Sequence, residues 1–471
     1  MTLPPLDQPL KWTQNDKAVG ALLDDLQANI LKGHGRNHAI HLFLRFDPAK
    51  KAAIKGAIHQ LSGQLKTARQ QLKEAEDFKR TGKDGGTVRC LFLSFAGYKA
   101  LGAEAQAPAD VAFREGMQQR MSPRPGQSAA DLFQHWESYF KNGVHAMLLL
   151  ADVDVARLQA ERDSVVESLE AVGVTVVGEE VGNQQRNDRG DGIEHFGYVD
   201  GRSQPILIAE DAEQEKLLND GTSMWNPAFP LSQVLVTNGS AAQPKASGSL
   251  FVFRKLEQNV LRFKRREEEL ADELGLSGED RELAGAMMVG RFEDGTPVVL
   301  RKKAGVGGGV PNNFNYADDR DGVKCPLHAH IRKTNPRGSG GFQQTDAQER
   351  AHIMARRGIT YGEREPGLAD RPEGGVGLLF MAYQANIANQ FEFTQQTWAN
   401  NPEFPQATAA SGQPGIDPVI GEGSVGANQQ RCPLHWGDPA TPRQATSFSG
   451  FVTLKGGDYF FAPVISALRA L

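Results

Sequence analysis

"HAMLLLADVD-VARLQAERDSVVESLEAVG-VTVVGEEVG" (residues 145–182) decides the fold class. Its first segment, 145–154, carries a short unbroken apolar run, which reads as a buried strand. From residue 155 the apolar positions recur at helical spacing, and Gly173 ends the helix. A second β-rich segment starts at once, at 174. Working back, "HAIHLFLRFD" (38–47) reads as a strand, a helical stretch covers roughly 49–78, and "TVRCLFLSFAGYKAL" (87–101) gives a strand and then a turn. The first 180 residues or so are thus strand–helix–strand twice over, which is the ferredoxin-like α+β pattern.

Working forward, "SGSLFVFRKLEQNVLRFKRREEELADELG" (247–275) and "GLLFMAYQANIANQFEFTQQTWAN" (377–400) each run from a strand into a helix, and "DYFFAPVIS" (458–466) is a late strand. We therefore expect an α+β protein of two ferredoxin-like domains with antiparallel sheets, 1–205 and 206–471. The loop-rich junction 182–205 separates them. A second loop, "AGVGGGVPNNFNYADDRDG" (304–322), is too rich in Gly and Asn for regular structure, and loops of that length usually serve a site.

A length of 471 residues suits two domains. The balance of 52 basic against 57 acidic residues makes no electrostatic case for nucleic acid. No stretch approaches the roughly 18 apolar residues of a membrane span. Three scattered cysteines, Cys90, Cys325 and Cys432, cannot build a disulfide framework. The opening residues show no signal-peptide pattern. The expectation is a soluble, cytoplasmic protein.

Chemistry-bearing residues gather in "CPLHAHIRKTNPRG" (325–338). "CPLH" recurs at 432–435, so a Cys2His2 zinc set is conceivable, but the two copies lie far apart and Cys-x-x-Cys occurs nowhere. The absence of Cys-x-x-Cys-His excludes covalent c-type haem. Read as a helix over 325–335, the segment puts Leu327, His330, Ile331 and Thr334 on one face and Lys324, His328, Arg332 and Asn335 on another. His330 then points inward and His328 toward solvent or an anion. On this cluster alone, a satisfied core histidine is the commoner reading of His330. Two further stretches bear on it: "HFGYVDGRSQP" (195–205), where Asp200-Gly201 reads as a plain turn, and "RAHIMARRGITYG" (350–362), which reads as a basic helix end.

Together these stretches resemble the dye-decolourising peroxidase family. They match its Gly-x-x-Asp-Gly motif at Gly197–Gly201, its histidine segment at "AHIRKTNPR" and its arginine segment at "RRGITYG". The resemblance runs from "DLQANILKGHGR" to "DYFFAP". It implies two ferredoxin-like halves in a barrel-like α+β arrangement, and one non-covalent haem b per chain in the C-terminal half. It further implies His330 as axial iron ligand, Asp200 as acid–base, and Arg356 rather than Arg357 as electrostatic stabiliser. Hydrogen peroxide and bulky aromatic reducing substrates such as dyes and phenols would be the partners. The physics agrees: a carboxylate moves the peroxide proton and a guanidinium favours the charged forms. Leu378 and Phe380, alternating on one strand, are expected to wall the distal pocket, and Arg332 to meet a haem propionate. The carboxylate that should orient His330 is sought in "PRQATSFSGFVTLKGGDYFF" (442–461), which has no acid before Asp458. A non-catalytic haem-handling protein is the alternative.

Overall fold

The structure is a computed structural model. It describes residues 3–121, 131–219, 221–237, 247–305, 309–364, 370–422 and 429–471. Strand β1 (His38–Phe46) leads through helices α1 (Lys51–Ser62) and α2 (Ala68–Thr81) to β2 (Val88–Leu93). β3 (Ala146–Asp152), α3 (Val155–Glu170) and β4 (Val174–Asn183) complete the first βαββαβ unit. Its strands lie antiparallel in the order β2-β3-β1-β4. The second unit runs from β5 (Ser247–Gln258) and α4 (Val260–Glu273) through the short α5 (His330–Thr334) to β6 (Ile359–Tyr361), β7 (Gly377–Gln384) and β8 (Val452–Ala462). Its order, β8-β5-β7-β6, repeats that of the first.

The two sheets meet at both edges. Gly182 of β4 pairs with Tyr361 of β6, and Leu93 of β2 pairs with Phe461 of β8. Eight strands thus close into a barrel, which hides the edges that two open sheets would leave unpaired. Alternation along β5 and β7 sets what each face does. Phe251 and Phe253 on β5 and Leu379, Met381 and Tyr383 on β7 are fully buried. Their rings contact those of the first unit: Phe92–Phe251 at 4.4 Å and Phe43–Phe253 at 5.0 Å between centroids. The other face of the same two strands presents Arg254, Leu256 and Gln258 beside Leu378 and Phe380, with Leu378 opposite Leu256 and Phe380 opposite Arg254. That face is one wall of the site.

Two expectations change. The helix over 49–78 is two helices, because Thr67 starts the second with a capping box to Gln70. The helix over 325–335 shrinks to α5. Both carboxylate oxygens of Asp319 accept backbone amides, from Lys324 at 2.9 Å and Cys325 at 2.8 Å, which holds the preceding chain in a turn. His328 therefore lies off the helix and is buried, not turned to solvent.

Candidate active site

Between that outer face and the loops of the second unit lies a cavity lined by Glu194, Phe196, Asp200, Arg254, Leu256, Arg291, Tyr316, His330, Arg337, Arg356, Leu378, Phe380 and Val452, among others. Side chains from at least eight separate stretches of sequence converge there.

The segment 194–201 brings Asp200. Glu194 accepts the amides of Phe196 (2.8 Å) and Tyr198 (3.0 Å), which folds the chain back on itself. Gly197 (φ +99°) and Gly201 (φ +80°) take backbone conformations that side chains disfavour, which accounts for both glycines of the motif. Asp200 accepts the Gly201 amide at 2.7 Å and is exposed to the cavity.

Arg356 sits on a two-residue strand paired with β7. Its amide donates to Gln204 Oε1 and its Nη2 donates to the Arg202 carbonyl, each at 3.0 Å. Both anchors lie on the loop that carries Asp200. Arg357 turns toward the N-terminal segment, donating to the carbonyls of Asn29 (2.9 Å) and Ile30 (3.0 Å). An adjoining cavity, lined by Lys32, His34, Arg36 and Gln204, also reaches Arg356.

His330 opens α5. Its Nδ1 is 2.9 Å from Asp417 Oδ2, and among the described residues no hydrogen bond engages its Nε2. Asp417 is fully buried; its Oδ1 accepts the amides of Val419 (2.8 Å) and Ile420 (3.0 Å). Burial alone would push this carboxyl up. The His330 imidazole and the two amides outweigh it and hold Asp417 below the usual carboxylate range. Asp417 is thus the orienting acid, well upstream of the segment searched for it. Its only sequence signal is local: an Asp before Pro that can accept the amides two and three residues on, within a loop that has no other distinguishing feature.

Arg332 is a correction. Its Nη1 donates to the Cys325 carbonyl (2.6 Å) and pairs with Asp319 Oδ2 at 3.2 Å, while Nη2 donates to the Asp319 carbonyl. It is 1% exposed and away from the cavity wall. The shortened helix is the reason, since the turn at 319–325 brings Asp319 to it. Two other arginines face the cavity instead. Arg337 donates to the carbonyls of Asn312 and Phe314 and to Ser203 Oγ; Arg291 donates to the carbonyls of Gly295 and Pro311. The part of loop 304–322 that is described supplies several of these acceptors; residues 306–308 of it lie outside the described residues.

The two "CPLH" copies meet in space: His328 Nε2 is 3.9 Å from Cys432 Sγ. Burial pulls His328 down to about 3 and pushes Cys432 up to about 12, so both are neutral. Among the described residues no three His, Cys, Asp or Glu side chains cluster as a metal-binding set.

What fits the cavity follows from its unmet partners. Arg291 and Arg337 are buried and, among the described residues, neither meets a carboxylate. Burial, reinforced by neighbouring guanidiniums, pulls them down to about 10 and about 9. Among the described residues, Tyr316 OH and Arg254 Nε are buried without a hydrogen-bond partner, Arg254 pairing with Glu422 only through Nη2 at 2.9 Å. Such a set calls for an anion. A flat apolar ligand with carboxylates and an iron that takes a histidine nitrogen satisfies all of it, and haem has that chemistry.

No family model matches the chain. It is 47% identical over 474 residues to the multifunctional dye peroxidase DyP2 of Amycolatopsis sp., covering 99% of each chain. The chain belongs to the dye-decolourising peroxidase family. The solved structure of that relative superposes with a TM-score of 0.91 over 99% of this chain and 100% of that one, at 45% identity. A DyP-type peroxidase from Anabaena sp. gives 0.87 at 37% identity, covering 99% and 98%. The two ferredoxin-like units expected from the sequence are the fold of this family, and the chain is a haem-dependent peroxidase. No helix among the described residues is long and apolar enough to cross a membrane.

Proposed function

We propose that the cavity holds one non-covalent haem b whose iron His330 would ligate, and that Asp200 and Arg356 act on hydrogen peroxide while aromatic compounds such as dyes and phenols supply electrons. The observation that carries this is the His330–Asp417 pair on the wall of a cavity that also holds Asp200, Arg356 and two uncompensated arginines. Haem, when bound, supplies an iron at which peroxide is reduced and reducing equivalents are taken one at a time.

The chain's own residues supply the rest. Asp417, accepting the Nδ1–H of His330, fixes the tautomer, directs Nε2 outward and strengthens it as a donor to iron. Asp200 takes the proton of peroxide's near oxygen and returns it to the leaving oxygen. Arg356 stabilises negative charge on that oxygen through its guanidinium. Arg337 and Arg291 meet the carboxylates of the porphyrin. Leu378 and Phe380 exclude water. A non-catalytic haem handler has no use for an acid–base residue and a guanidinium in the same cavity.

Asp200→Ala tests the assignment. Turnover with peroxide should fall about 10²- to 10⁴-fold while the Soret band of the purified protein is unchanged. Full turnover in Asp200→Ala and in Arg356→Leu would overturn both roles. We also propose that the units divide near residue 205 and that the protein resides in the cytoplasm, where its three buried free cysteines stay reduced. Limited proteolysis and cell fractionation test these.

A further inference from the structure

Lys333 lies on α5 one turn beyond His330 and is completely buried. An ammonium carries three N–H donors. This one meets three main-chain carbonyls, those of Asn401 (2.8 Å), Gly415 (2.8 Å) and Phe404. Among the described residues no carboxylate pairs with it. Burial pulls Lys333 down to about 7, while three carbonyl acceptors match the three N–H donors of its protonated form.

All three carbonyls belong to one loop, 401–415, and that loop runs directly into Asp417. The loop is braced further by the Gly415 amide donating to Pro402 O and the Asp417 amide donating to Ala399 O, each at 2.9 Å. Phe404 stacks on the buried Trp398 at 5.2 Å. The helix of His330 therefore grips the loop of Asp417 twice: through the imidazole–carboxylate contact, and through Lys333 one turn further on.

We propose that Lys333 is a positioning residue for the imidazole of His330: it holds the 401–417 loop so that Asp417 stays within hydrogen-bond range of His330 Nδ1. This rests on His330 being the iron ligand. Asp417 sets the donor strength of His330, so a residue that sets the place of Asp417 acts on the iron without touching it.

The test uses the haem-loaded protein and reads the ferric/ferrous midpoint potential and the iron–imidazole stretching band of the ferrous form. The variants are Lys333→Gln, which keeps two N–H donors and should fold, Lys333→Met, Lys333→Arg and Asp417→Asn. Asp417→Asn should raise the potential and lower the band frequency. Lys333→Gln and Lys333→Met should shift both in the same direction by a smaller amount, and lower kcat/KM for peroxide about tenfold. Lys333→Arg, keeping N–H donors for the loop carbonyls, should stay nearer wild type. Lys333→Met combined with Asp417→Asn should shift no further than Asp417→Asn alone. If Asp417→Asn shifts both readouts and a folded Lys333→Gln shifts neither, the role assigned to Lys333 is overturned and the ligand assignment stands. If Asp417→Asn itself shifts neither, the ligand assignment falls and this inference falls with it.

Discussion

Glu194→Gln is expected to remove a pH dependence of stability that the wild-type chain carries through neutrality. The Glu194 carboxyl lines the cavity six residues before Asp200. Burial pushes it from 4.5 up to about 7, although it accepts the amides of Phe196 and Tyr198 and the Gln258 Nε2 donor at 2.5 Å. Because the folded-state value is raised, the folded chain keeps its proton after the unfolded chain has lost it. Stability is therefore lost as pH rises from about 4.5 to about 7 and is flat above. Raising the group from 4.5 to about 7 corresponds to about 3 kcal/mol, most of which is lost between pH 5 and pH 8. Among the described residues Gln258 Oε1 is buried without a partner, and turning that amide over would let protonated Glu194 donate to it. In Glu194→Gln one oxygen remains, so one of the two backbone amides loses its acceptor, at a pH-independent cost of about 1–3 kcal/mol. Urea unfolding of the haem-free proteins from pH 5 to pH 8 should show the variant less stable at pH 5 and gaining about 2–3 kcal/mol relative to wild type by pH 8. A difference that stays constant with pH would refute the reasoning, since it would mean that Glu194 titrates alike in both states.

Arg337→Met should weaken haem binding by at least tenfold, measured by transfer of haem to an acceptor protein, because it removes one of two uncompensated buried cations at the cavity wall. Haem dimethyl ester should discriminate less between this variant and wild type; equal discrimination would mean that Arg337 does not meet a porphyrin carboxylate. Arg332→Met should behave differently. It leaves Asp319 buried and unpaired, so unfolding free energy should drop by about 3–5 kcal/mol with no change in haem affinity at low temperature. Selective loss of haem from a variant of wild-type stability would restore Arg332 to the cofactor.

Much of the site was legible because it rests on local pattern. Leu378 and Phe380 reach the cavity because β7 alternates, and a period of two needs no knowledge of the partner strands. Gly197 and Gly201 mark backbone conformations that few other residues tolerate, so the turn that presents Asp200 is written in the motif. Asp417, Arg337 and Arg332 were not legible for a common reason. Asp417 stands 87 positions from His330, and Arg332 is drawn away from the cavity by Asp319, 13 positions earlier. Helical periodicity misassigned Arg332 and His328 because it assumes that the helix continues. Two hydrogen bonds, from the backbone amides of Lys324 and Cys325 to the Asp319 carboxylate, stop it.

The sequence by itself pointed to two ferredoxin-like α+β units, to the family, and to His330, Asp200 and Arg356 as candidate site residues, since periodicity, glycine placement and motif order are properties of neighbours along the chain. Only the tertiary structure decided that two open sheets close into one barrel, that Asp417 orients the imidazole, and that Arg291 and Arg337 rather than Arg332 face the cavity. Those outcomes depend on which buried donors and charges find partners across the fold, and a buried charge is settled by whatever lies within a few ångströms of it, however far away that residue is in the chain.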